Sequence, residues 1–150
     1  MFCKIPKLKQ SKRLINEIYV HCSATPPKMN IGAKWIRKLH KGKGWSDIGY
    51  HYVIKRDGKL ELGRDVDRIG AHVRGYNSNS IGVCLIGGVD DYNEAEDNYT
   101  DSQWRTLNWL LTMLKQMYNA EILGHNQRAN KACPCFDVPD ELANGRLKGV

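Results

Sequence analysis

The sequence predicts an α/β (α+β) fold, a single domain with a central mixed β-sheet flanked by helices. Three observations carry that expectation. Short runs with strand character, at residues 17–22, 50–55, 60–62, 80–86 and 122–124, alternate with two segments of helical periodicity. The run at 80–86 is apolar almost throughout, as a strand covered on both faces should be. No repeat, low-complexity tract or Gly/Ser linker divides the 150 residues, a length that suits one hydrophobic core.

Residues 1–16 read as a basic N-terminal arm, followed by a catalytic domain over 17–150. The first strand, 17–22, carries His21 near its end. Thr25-Pro26-Pro27 then breaks the chain, and Asn30 is the expected cap of a helix running to about His40. Its apolar stripe would be Ile31, Trp35, Ile36 and Leu39. Gly42 and Gly44 end the helix, where an imidazolium at His40 would complement the dipole.

The strand at 50–55 is expected to place Tyr50 and Tyr52 on one face and His51 on the other. Asp57-Gly58 turns the chain into 60–62 as a hairpin. His72 to Asn77 forms a loop ahead of the run at 80–86, which should lie centrally in the sheet. Thr100 with Gln103 makes a capping box for a long helix to about Tyr118. Trp104, Leu107, Leu111, Leu114 and Tyr118 form its stripe. A short strand at 122–124 delivers His125, and residues 140–143 suggest a last helical turn.

Composition narrows the function. The net charge of +7 favours a polyanionic partner, either nucleic acid or an acidic cell wall. Five cysteines, an odd number that includes the close pair Cys133 and Cys135, do not make a secreted disulfide scaffold. No apolar stretch approaches the ~20 residues of a membrane span. The basic N-terminus, interrupted by Pro6, lacks the apolar run of a signal peptide, so the chain is expected to stay in the cytoplasm where it is made.

The chemistry concentrates on two distant segments. His21, His125 and Cys133 offer two imidazoles and a thiolate, a three-ligand zinc set that leaves the fourth tetrahedral position for water. Lys131 brings a cation beside that water, and a phenol such as Tyr50 can orient it or stabilise an oxyanion. Cys135 is a second thiol within reach, and Tyr50 equally suits an aromatic place in the core. The alternative is a zinc-stabilised nucleic-acid-binding protein, which would need a fourth protein ligand such as Cys135 or Cys22. Cys22, adjacent to His21 in a strand, points to the opposite face and counts against it.

Four ordered motifs then add a resemblance. They are Val20-His21-Cys22-Ser23-Ala24-Thr25, Gly49-Tyr50-His51-Tyr52-Val53-Ile54-Lys55-Arg56-Asp57-Gly58, Ser80-Ile81-Gly82-Val83-Cys84-Leu85 and Lys131-Ala132-Cys133-Pro134. Together they resemble the T-seven-type phage lysozymes, zinc-dependent N-acetylmuramoyl-L-alanine amidases related to the peptidoglycan recognition proteins. The likeness runs from about Ile18 to Asp137.

It implies that His21, His125 and Cys133 hold zinc, that Tyr50 and Lys131 are the catalytic partners, and that His72 and Asn77 lie near the substrate groove. It further implies a monomeric endolysin that cuts the amide between N-acetylmuramic acid and L-alanine in peptidoglycan and lyses the host. Such an enzyme is made in the host cytoplasm and reaches the wall once a holin-type protein has permeabilised the membrane. It has no membrane partner and no direct nucleic-acid contact of its own. Some lysozymes of this group also bind and inhibit the phage RNA polymerase, which the resemblance raises as a second role.

Overall fold

The computed structural model describes residues 5–150. Five strands, β1 (Glu17–Cys22), β2 (Tyr52–Ile54), β3 (Leu60–Leu62), β4 (Ser80–Leu85) and β5 (Glu121–Gly124), form one sheet in the order β3-β2-β4-β1-β5. β4 pairs in parallel with β1 and β2, β1 pairs in parallel with β5, and β2 and β3 form the antiparallel hairpin. The expected mixed sheet is therefore present, and the apolar run at 80–86 supplies its central strand. All six residues of β4 are buried, as a strand covered on both faces requires.

The pleat of β1 sends alternate residues to two different environments. Ile18, Val20 and Cys22 join one large apolar cluster with Tyr52, Ile54, Ile81, Val83 and Leu85. That cluster is closed by α2 (Asp101–Tyr118), whose Leu107, Leu110, Leu111 and Leu114 are fully buried, and by Val138 of α3 (Val138–Asn144). Tyr19 and His21 point to the other face, where Tyr19 packs on Val73 and Leu123. On that face Val53 and Cys84 are covered by Ala33 and Ile36 of α1 (Ala33–Gly42).

The capping box of α2 is formed as expected. The Thr100 side chain accepts from the Gln103 N–H, and the Gln103 side chain accepts from the Thr100 N–H. The first helix differs from its expectation. Its N-cap is Gly32, and the Ala33 N–H is met by the Glu61 carboxylate from β3 at 2.9 Å, so the cap comes from a residue distant in sequence. It buries Ala33, Ile36 and His40, whereas Trp35 and Leu39 are 38% and 43% exposed. His40 is not an imidazolium on the helix dipole. It is buried, accepts from the Gly49 N–H through Nδ1 at 2.9 Å, and burial, with Lys43 and Arg64 nearby, lowers its pKa to about 4.

Of the N-terminal arm, residues 1–4, including Cys3, lie outside the described residues. The rest lies against the domain. The Ser11 N–H donates to the Tyr118 hydroxyl at 2.8 Å, Lys9 pairs with Asp65 and Asp67, and the Arg13 guanidinium donates to the carbonyls of Val66 and Ser80. Among the described residues no helix is long and apolar enough to cross a membrane.

Candidate metal centre and active site

The three candidate ligands reach one point from three separate elements. His21 leaves the open face of β1. His125 begins the 3-10 turn His125–Gln127 directly after β5, the strand beside β1. Cys133 sits in the following loop, which is tied down by the Asn126 side-chain amide donating to the Phe136 carbonyl at 3.1 Å and by the Tyr99 hydroxyl bound to the Pro134 carbonyl. One donor atom from each of His21, His125 and Cys133 lies within 4.8 Å of the others.

This donor set fits zinc. The Nδ1 atoms of His21 and His125 face each other at 3.1 Å. Tetrahedral zinc, with nitrogen ligands at ~2.0–2.1 Å, sets such nitrogens about 3.4 Å apart. Burial, then the neighbouring His72 and His125, hold the His21 imidazole well below its ordinary pKa, while burial and then Lys131 lower that of His125. Both rings are thus neutral, the form that binds a metal. The Cys133 Sγ accepts the Cys22 backbone N–H at 3.1 Å.

Neither competing thiol joins the three-residue cluster. The Cys135 thiol donates to the Gly88 carbonyl at 3.1 Å. The Cys22 side chain lies in the apolar cluster on the α2 side, and its thiol is pushed up to about 12, chiefly by its hydrogen bond with Cys133. Among the described residues the metal-binding cluster has three protein members. Among these residues the four-ligand structural site of the nucleic-acid-binding alternative is not assembled.

Tyr50 reaches the same place by a route that alternation misses. β2 starts at Tyr52, so the period of two does not extend back to Tyr50. Tyr52 enters the large apolar cluster, while the Tyr50 ring packs on the opposite face, 5.1 Å from His21 and 5.6 Å from His40. The two tyrosines therefore lie on opposite faces. Burial, with Cys84 and Cys133 next to it, raises the Tyr50 pKa well above that of an ordinary phenol, so its hydroxyl keeps its proton.

A groove of about 750 Å³ opens over this cluster, lined by Tyr50, His125 and Lys131 together with Trp45, Lys43, Arg74 and Arg128. His72 and Asn77 also border it, but both are engaged with the protein. The buried His72 Nδ1 lies 2.9 Å from His21 Nε2, and Asn77 Oδ1 accepts the N–H groups of His72 and Val73. Sequence reasoning missed Ser80, which stands behind His72, because a serine opening an apolar strand gives no signal. It also missed the cations of the rim, which look like any other surface lysines and arginines in a basic chain.

Residues 11–136 match the N-acetylmuramoyl-L-alanine amidase (Amidase_2) family. The chain belongs to that family. The amidase is 51% identical over 122 residues to the endolysin of Escherichia phage T7, with 81% of each chain covered. It is 50% identical over 124 residues to the endolysin of Klebsiella phage KP32, with 82% of each covered. Among solved structures, the N-acetylmuramoyl-L-alanine amidase LysC from Clostridium intestinale superposes with a TM-score of 0.78, at 26% identity over 98% of this chain and 99% of that one. Family and fold agree, so the amidase is a hydrolase of the bond between N-acetylmuramic acid and L-alanine.

Proposed function

We propose that this amidase is a zinc-dependent endolysin in which His21, His125 and Cys133 hold the metal and Tyr50 and Lys131 act on the substrate. The observation that carries the proposal is the convergence of two imidazoles and one thiol on a single point beside the groove that His125 lines. Zinc bound there would supply a Lewis acid and lower the pKa of a coordinated water towards ~7.

The protein's own groups define what surrounds that chemistry. The protonated Tyr50 hydroxyl is a hydrogen-bond donor for water or for a developing oxyanion. Lys131 lines the same groove and brings an ammonium to the scissile carbonyl as negative charge builds on its oxygen. Lys43 and Arg74 make the rim basic, which suits an anionic wall polymer. Trp45 adds an aromatic wall, 39% exposed, on which the apolar side of a saccharide or peptide can lie.

On this reading the protein is made in the host and meets peptidoglycan when a separate holin-type protein opens the membrane. No feature of the described surface assigns an RNA polymerase contact, and control of a polymerase forms no part of the proposal. The test is digestion of purified peptidoglycan with and without a chelator. Free L-alanine amino termini, without new reducing ends, and their loss on chelation with recovery on added zinc are expected. Undiminished release after complete metal removal would refute zinc dependence while leaving the amidase assignment intact.

A further inference from the structure

The imidazole of His21 is held from behind by a hydrogen-bond chain whose direction can be read from its far end. Ser80 Oγ lies 2.7 Å from the Tyr76 carbonyl, which can only accept. The hydroxyl's single proton goes there, so towards His72 Nε2, 3.3 Å away, Ser80 Oγ presents a lone pair. His72 must then carry its proton on Nε2 and leave Nδ1 bare. That bare Nδ1 lies 2.9 Å from His21 Nε2, which therefore donates. A neutral imidazole has one N–H, so the remaining nitrogen, His21 Nδ1, is bare and faces His125.

The surroundings are built to keep His72 in this position. A Cβ on Gly82 of β4 would fall 2.6 Å from the His72 ring, and one on Gly70 would fall 2.7 Å from it, so two glycines shape its slot. Asn77 Oδ1 fixes the backbone of His72 and Val73 at 3.0 Å and 2.9 Å. The ring is buried and its two nitrogens are occupied by His21 and Ser80.

We infer that His72 and Ser80 are positioning residues: they fix His21 as its Nε2–H tautomer and so aim the Nδ1 lone pair at the metal. The inference rests on the zinc reading above and gives that reading its second layer. Metal-bound histidines generally donate their other N–H to a carboxylate, a carbonyl or water. Here an imidazole, a hydroxyl and a carbonyl in series take that place. Asn77 acts one step further back, by setting the loop that carries His72.

Long-range ¹⁵N–¹H spectra of the metal-free protein read the tautomers without any substitution. The expected pattern puts the protons of His21 and His72 on Nε2; a His21 Nδ1–H signal would overturn the proposal. Zinc titration against a chromogenic chelator is the second measurement. His72→Leu should weaken zinc binding by about 10- to 100-fold. Ser80→Ala should fall at the lower end of that range. His72→Asn, whose Oδ1 can accept from His21 in place of Nδ1, should recover most of the affinity. A folded His72→Leu that binds zinc within about twofold of the unsubstituted chain would overturn the assignment. If the unsubstituted chain takes up no zinc, the zinc reading fails, and the tautomer spectrum alone decides the positioning claim.

Discussion

The two faces of the sheet are made from the same strands and have opposite characters. On the α2 side, Ile18, Val20, Ile54, Ile81, Val83 and Leu85 meet four fully buried leucines, and no histidine enters. On the other side, His21, His51 and His72 are buried within a few ångströms of one another, and Tyr50 and His125 complete the cluster. β1 contributes to both by simple alternation. The contrast teaches that one face supplies stability through apolar area, while the other spends buried polar groups on orientation and must satisfy each of them.

Substitutions can break this contrast from either side. Cys133→Ala should abolish amidase activity, measured as release of free amino termini from peptidoglycan. The thermal midpoint of the metal-free protein should move by no more than about 2–4 °C. A variant that kept activity would remove the thiolate from the site. Leu111→Ala should do the reverse and lower stability by about 2–5 kcal/mol in chemical denaturation, with the activity per folded molecule unchanged.

Lys131→Ala tests the groove without touching either core. Its activity should fall by about 100- to 1000-fold while one zinc per chain is still bound. Loss of the metal instead would make Lys131 part of the binding site, not a partner to the substrate.

The smallest effect distinguishes the faces by pH. Burial lowers the folded pKa values of His40 and His51 to about 4 from an ordinary 6.5, so the unfolded chain takes up these protons first. Stability is therefore fully present above pH 6.5 and declines as pH falls from 6.5 towards 4. Thermal midpoints recorded across that window should drop on acidification, and His51→Asn should shallow the slope. A midpoint that rises on acidification would contradict the buried neutral state.

Much of this was legible in the sequence. The strand character of 17–22, the apolar run at 80–86 and the Thr100–Gln103 capping box lead to β1, the central β4 and α2, because each is a local pattern with a local cause. The pairing of His21 with His125 and Cys133 could be read from residue chemistry. What failed depended on distant partners. Asn30 was the natural local cap for α1, but Glu61 provides the acceptor from β3. Trp35 and Leu39 fit a helical stripe, yet the sheet is met by Ala33, Ile36 and His40. Tyr50 lies just outside the strand whose alternation was used to orient it.

The slot at Gly82 has a consequence for anyone who alters this enzyme. The central strand carries, at that one position, a missing side chain whose place the His72 ring occupies. Most loss-of-function variants subtract a reactive group; here a single added methyl is expected to act instead, by displacing the His72 imidazole behind His21. A screen that scores only the groove would overlook it. The most sensitive position in the strand would then be one with nothing to delete.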